Sequence, residues 1–285
     1  MFDNIFLNII VLFSPNYENK IVTGTVKKSI SLLNQFITFY KSIKKNLNLI
    51  KYDISIVHYK DFNNEDLDKL NSLDVNIIKC NVDNFDQLCV ERYIVKTKIK
   101  GTHRLLAETD MLLLKEPNFN WNVDFQKMYG GIANIFPISV MNKIYKMFDI
   151  KNRYIKNYNI NQDLFISYNI KKKNKNNLFP HFNNGLTLIT EEFSKKFYEK
   201  MISLDWINKQ NKYFEPKYHH FLGQVLHSFV LLELTDNWEP FEPGINYLLK
   251  TYDVNKFGKE NISLLHYCGI GAGKLVLNKF PEYFI

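Results

Sequence analysis

The strongest constraint on this chain is an alternation in its first 117 residues between continuous apolar runs and stretches with helical spacing. IFLNIIVLF (5–13) is a continuous run, apolar but for Asn8, that stops at Ser14-Pro15-Asn16, the pattern of a strand buried on both faces. From Val26 to Lys45, apolar residues at Ile30, Leu33, Ile37, Tyr40 and Ile43 keep the period of an amphipathic helix. DISIVHY (53–59) predicts a second strand, and Asn64 a cap for the helix NEDLDKLNSL. VNIIKCN (75–81) predicts a third strand, Val90–Lys98 a further helix, and HRLLAETDMLLLKEP (103–117) the fourth strand. The order βαβαβαβ predicts an α/β sandwich of Rossmann-like type. Its central sheet would be mostly parallel with helices on both faces, and ligands would bind beyond the carboxyl ends of the strands.

The second half reads differently. GGIANIFPIS (130–139) and NLFPHFNNGLTLIT (177–190) are expected to extend the sheet, and residues 194–210 and 219–234 to form helices, the latter ending as a strand near Leu231–Leu234. ISLLHY (262–267) predicts a last short strand before the glycine-rich CGIGAGK. Eleven glycines and eight prolines in 285 residues leave little room for flexible linkers, so a single domain is expected. Its halves would be 1–117 and 118–285.

The net charge of +8 is almost entirely lysine, because Arg92, Arg104 and Arg153 are the only arginines. Apart from Lys171–Lys175 the lysines are dispersed, which disfavours a nucleic-acid partner. Cys80, Cys89 and Cys268 lack the spacing of a disulfide framework or a zinc site. The N-terminal apolar run is shorter than the roughly 20 residues of a membrane span. It also lacks a basic leader segment, so a soluble, cytoplasmic protein is expected, and the abundance of Lys, Asn and Ile fits an AT-rich virus, protist or bacterium.

Within HRLLAETDMLLLKEP, Glu108 and Asp110 interrupt an apolar run that then resumes. An unpaired buried carboxylate costs several kcal/mol, so the acids either reach solvent at a strand end or meet a cation. A hard divalent ion takes oxygen ligands from such a pair and bridges to phosphates.

The segment resembles the metal-binding motif of GT-A-fold glycosyltransferases, in which a DxD lies between two apolar stretches. Other segments are similar to the glycogenin and lipopolysaccharide galactosyltransferase group, glycosyltransferase family 8. They are FSPNYENK (13–20), SISLL (29–33), FNNGLTLI (182–189), Gln224 in FLGQVLHS, and HYCGIGAGK (266–274). Three departures stand out: Glu108 replaces the first Asp, Gly223 replaces the Asp before the Gln, and the His-to-Lys spacing is two residues longer.

The resemblance implies a retaining transfer of sugar from a nucleotide-diphosphate donor, UDP-linked, to a hydroxyl on a glycan, protein or lipid. Mn²⁺ or Mg²⁺ would be held by Glu108, Asp110 and His266. Phe13, Ser14, Tyr17, Arg104 and Thr109 would line the nucleotide, with Tyr17 stacking on the base and Arg104 pairing either a phosphate or Glu108. Asn183 and Asn184 would hydrogen-bond sugar hydroxyls. Gly271 and Lys274 would meet the diphosphate, and Asp163 (beside Gln162) and Gln224 would act at the reacting centre. In an inverting enzyme, Asp163 or an acid around Glu239–Glu242 would serve as base. His219, His220 and His227 show no acid partner and are assigned no metal. A nucleotidyltransferase would need a glycine-rich basic loop after the first strand, which FSPNYENK is not. A module that binds glycan or nucleotide sugar without turnover is the remaining alternative.

Overall fold

The computed structural model describes residues 4–13, 30–129, 146–147, 182–213, 216–249, 254–268 and 272–284. Ser14, Tyr17, Gln162, Asp163 and Gly271, the segment 130–139 and the side chains of His219 and His220 lie outside them.

The expected alternation is present. Strand β1 (Phe6–Leu12), helix α1 (Leu32–Asn46), β2 (Lys51–His58), α2 (Asn64–Asn71), β3 (Asn76–Lys79), α3 (Phe85–Glu91) and β4 (His103–Ala107) follow in turn. Each helix starts on a side-chain cap: Ser31 accepts from the Asn34 N–H, Asn63 from Asp66, and Asn84 from Gln87. The cap of α2 is thus Asn63, one residue before the expected Asn64. Helix α3 precedes the helix expected at Val90–Lys98, and from Ile94 to Thr102 the backbone is irregular.

After β4 come β5 (Met111–Leu113), β6 (Phe125–Tyr129), β7 (Phe182–Thr190), α4 (Glu191–Ser203), α5 (Trp206–Tyr213) and α6 (Pro216–Leu234). The chain continues through β8 (Trp238–Pro240), β9 (Ile245–Leu248), α7 (Val254–Phe257), β10 (Leu264–His266) and α8 (Ala272–Lys279). The helix expected over 194–210 is broken into α4 and α5 at Asp205, whose φ of 49° is left-handed. No strand forms at Leu231–Leu234: α6 continues to Leu234, since buried Val230 and Leu231 pack in the helix against the sheet.

The main sheet has seven strands in the order β3-β2-β1-β4-β7-β6-β8. β1 through β4 run parallel, and β7 lies antiparallel to both β4 and β6. Both faces are covered. Leu7, Ile9 and Val11 pack towards Phe36, Phe39 and Ile43 of α1, whereas Ile10 and Leu12 share a core with Phe197 of α4 and Phe229 of α6. Burial of alternate residues on opposite faces is why β1 reads as a continuous apolar run.

A second sheet, β5-β10-β9, accounts for the interrupted fourth strand. β4 ends at Ala107 in the large sheet, and β5 begins at Met111 in the small one, antiparallel to β10. The two apolar halves of HRLLAETDMLLL are therefore strands of different sheets. Glu108, Thr109 and Asp110 form the step between them, at the carboxyl end of β4.

Candidate active site

Strand β10 delivers His266 to this step. The Tyr267 N–H donates to the Asp110 carbonyl at 3.0 Å, and Met111 pairs with His266. The imidazole Nε2 lies 3.3 Å from Glu108 Oε2 and 3.4 Å from Asp110 Oδ1. His266 is fully buried, whereas the two carboxylates keep about a third and a quarter of their surface in solvent. The three ligand atoms lie within 4.8 Å of one another.

A backbone hydrogen bond determines which nitrogen of His266 faces the acids. The Gly185 N–H donates to Asn183 Oδ1 at 2.8 Å, so that atom is an acceptor. Asn246 must then present its amide nitrogen to Asn183 Oδ1, at 3.2 Å, which turns its own Oδ1 towards His266. That oxygen lies 2.9 Å from Nδ1, which therefore carries the ring proton and leaves a lone pair on Nε2. Nε2 is buried without a hydrogen-bond partner among the described residues. An acceptor nitrogen facing two carboxylates would be repelled, and a cation between them removes the conflict.

The donor set of two carboxylates and one imidazole fits Mn²⁺, or Mg²⁺ with weaker preference for the nitrogen. Burial opposes a charge on the imidazole, but the neighbouring Cys268 and Asp110 outweigh it and raise the proton affinity of His266 well above its ordinary value. A proton on His266 thus answers Asp110, one of the two acids that would hold a metal.

Two local features permit this arrangement. A Cβ on Gly185 would fall on the His266 ring, so β7 can pass only as glycine. Asn246 adopts φ 60°, a left-handed conformation that Asn tolerates better than most residues.

Several expected ligand contacts are used elsewhere. Arg104 sits near the start of β4, not its carboxyl end. It pairs with Glu191 through Nε at 2.6 Å and Nη2 at 2.5 Å, and Nη1 donates to the Val95 carbonyl. This corrects the expectation that it pairs Glu108 or a phosphate. Thr109 is buried and donates its hydroxyl to Gln35 of α1 at 3.2 Å, so it anchors the step to a helix. Phe13 is a core residue, edge-on to Phe36 and 5.2 Å from Phe62. Asn183 is engaged through Oδ1 in orienting His266. Glu239 and Glu242 are hydrogen-bonded to Asn120 and Asn118 at the surface. Lys274 is exposed in the first turn of α8. Gln224 is buried on α6, one turn before His227, and its carbonyl accepts from Ser228.

Around Asn184 lies a buried polar group whose Lys127 and Arg92 the sequence did not mark as functional. Lys127 of β6 is wholly buried and donates to Asn184 Oδ1 at 2.6 Å. Arg92, just past α3, is 1% exposed and donates through Nη2 to the Asn184 carbonyl at 3.2 Å. Burial, then the charge of Arg92, hold the Lys127 ammonium well below its ordinary range, against the attraction of Glu108. His227 of α6 is likewise kept well below its usual value, by burial and then by Lys127, and its Nδ1 bonds the Gly223 carbonyl. Burial pushes the Cys89 thiol up to about 12, which keeps it protonated and inert.

No family model and no curated protein sequence matches this chain. Solved structures do match in fold. The galactosyltransferase LgtC, determined with donor and acceptor sugar analogues, superposes with a TM-score of 0.57 at 9% identity, over 97% of this chain and 95% of that one. GlyE, a glycosyltransferase of Streptococcus pneumoniae, gives 0.53 at 12% identity over 98% of this chain and 60% of its own. The bifunctional glycosyltransferase WbbM gives 0.54 at 8% identity; this chain covers 47% of its length. The architecture is that of GT-A glycosyltransferases. At these identities the likeness defines the fold, and the chemistry must come from the site.

Proposed function

We propose that this chain is a metal-dependent glycosyltransferase that moves a sugar from a UDP-linked donor to a hydroxyl acceptor with retention of anomeric configuration. The observation that carries this reading is the convergence of Glu108, Asp110 and His266 from two sheets at the carboxyl end of β4. Glu108, Asp110 and His266 would hold the ion, Mn²⁺ or Mg²⁺, which supplies charge neutralisation to the departing diphosphate. The fold of LgtC, GlyE and WbbM supports the same class.

The chain's own residues then bind and orient. The Asn183–Asn246 pair fixes the His266 tautomer, and Thr109 fastens the acidic step to α1. Lys274 and Gly271 would meet the phosphates, and Ser14 and Tyr17 the nucleoside. Gln224 and Asp163 would act at the reacting centre. In a retaining reaction the leaving phosphate accepts the acceptor's proton, so no side-chain base is required. One domain would span 1–285, with 1–117 binding nucleotide and 118–285 binding the acceptor. Among the described residues, no helix is long and apolar enough to cross a membrane.

The test is thermal stability with UDP, with and without Mn²⁺, followed by a donor screen for nucleotide release. A stabilisation by UDP that needs the metal and is lost in Glu108→Gln and Asp110→Asn is expected. Stabilisation by UDP that ignores Mn²⁺, or survives both substitutions, would refute the metal site. Donor binding with no nucleotide release on any donor would favour a binding module.

A further inference from the structure

The first residues of β7 depart from the sheet. Lys127 pairs with Thr187 and Tyr129 with Phe182, so the chain runs from 127 to 129 on β6 while it covers 187 to 182 on β7. The β4–β7 ladder stops at Leu186. Asn183, Asn184 and Gly185 therefore form a bulge without a strand partner among the described residues. A bulge leaves backbone groups unpaired and re-aims the side chains it carries, so something other than the ladder must hold its shape. Here side chains do so. Asn183 Oδ1 accepts from the Gly185 N–H at 2.8 Å, which closes a turn with Asn184 at its centre. Arg92 Nη2 donates to the Asn184 carbonyl at 3.2 Å, and Lys127 Nζ donates to Asn184 Oδ1 at 2.6 Å. Both donors are buried, so water does not compete for either bond. The Phe182 N–H donates to Ser228 of α6 at 2.9 Å, which ties down the start of the bulge.

The turn carries both contacts that seat the His266 ring. Asn183 Oδ1 also accepts from Asn246 Nδ2 at 3.2 Å, and Asn246 Oδ1 lies 2.9 Å from His266 Nδ1. Gly185 leaves open the space that the ring occupies. A small shift of the turn would thus move the hydrogen-bond chain and the floor of the ring together. We propose that Arg92 and Lys127 are positioning residues of the metal centre. By clamping Asn184 they hold the Asn183–Gly185 turn in the shape that aims His266 Nε2 at Glu108 and Asp110. The proposal rests on the metal-site reading above and extends it to two residues outside the ligand set. The two donors grip different atoms. Arg92 satisfies, with a charge-assisted bond, a backbone carbonyl that the bulge takes out of the ladder, and Lys127 fixes the side chain. Apolar residues in their places would fill the volume but leave Asn184 free to turn.

The experiment measures Mn²⁺ affinity by calorimetry, and imidazole ligation by the nitrogen modulation of the pulsed EPR signal of bound Mn²⁺. Wild type, Lys127→Met and Arg92→Met are compared, with thermal unfolding as the check that each is folded. Each variant should bind Mn²⁺ about fivefold or more weaker, short of the roughly 10- to 100-fold that a direct outer-shell partner of a metal-bound histidine contributes. The nitrogen modulation should also diminish in the ion that remains bound. A merely structural role would lower the unfolding temperature and leave both readings unchanged. Lys127→Met added to Asn246→Gly should cost less than about twofold more, because the route from the turn to the ring is already cut. Folded variants that bind Mn²⁺ within about twofold of wild type, with full nitrogen modulation, overturn the proposal. So does a loss of about fivefold from Lys127→Met in the Asn246→Gly background. Wild type that binds no Mn²⁺, or binds it without nitrogen modulation, refutes the metal site itself instead. If neither single variant folds, Asn184→Ala, at a half-buried position, removes the acceptor of Lys127 and carries the same expectations.

Discussion

Replacing Asn246 by glycine tests the site through a residue that touches no substrate in this reading. Asn246 is fully buried, sits at φ 60°, and joins Asn183 to the His266 ring. Glycine accepts that backbone angle without strain, so the substitution deletes the amide and little else. His266 then loses the acceptor that keeps its proton on Nδ1. Outer-shell partners of metal-bound histidines contribute roughly 10- to 100-fold in affinity, or about 1.4–2.7 kcal/mol. Mn²⁺ binding to Asn246→Gly, measured by calorimetry or by the free-ion EPR signal, should weaken by that factor. Asn246→Ala provides the control for backbone strain. It should lose the same metal affinity and in addition unfold more easily than the glycine variant, by about 1–2 kcal/mol for the left-handed angle. A glycine variant that binds Mn²⁺ within about twofold of wild type would refute the tautomer argument, and with it the assignment of Nε2 as a ligand.

Gly185→Ala should abolish Mn²⁺ binding, because the added Cβ occupies the place of the His266 ring; it should also cost about 1–3 kcal/mol of stability in denaturant unfolding. Arg104→Ala should have the opposite profile, losing about 3 kcal/mol of stability by leaving Glu191 unpaired while the remaining folded protein binds Mn²⁺ normally. The raised proton affinity of His266 gives two pH trends. In metal-free protein its contribution is fully present below the ordinary imidazole value of 6.5 and is lost as pH rises through the elevated folded value. Mn²⁺ affinity runs the other way, falling as pH drops below that folded value because the ion must displace the proton. An Mn²⁺ affinity independent of pH would exclude His266 from the site.

How much the sequence revealed depended on whether a feature was local. β1 and α1 were legible because continuous burial and a helical period are written in neighbouring residues. The cap of α2 was recoverable to within one position, Asn63 against Asn64, since adjacent asparagines differ only in backbone angle. Arg104 was misread because its neighbours in sequence are Glu108 and the strand end, whereas its partner Glu191 is brought alongside by the antiparallel β4–β7 pairing. Gly185 was visible only as part of a motif; its reason, contact with a ring 81 residues later, needs the approach of β10.

By itself the sequence determined a parallel βαβ half and the acid pair at the end of its last strand. Apolar period and local charge are short-range properties that survive without knowledge of the partner strand. The tertiary structure decided what those acids face. It split one apolar run between two sheets, carried His266 to the step, and set the ring's proton through a chain that begins at the Gly185 amide. It also gathered Arg92 and Lys127, 35 residues apart in sequence, around one asparagine. Such convergence is fixed by strand order and burial, which no window of neighbouring residues contains.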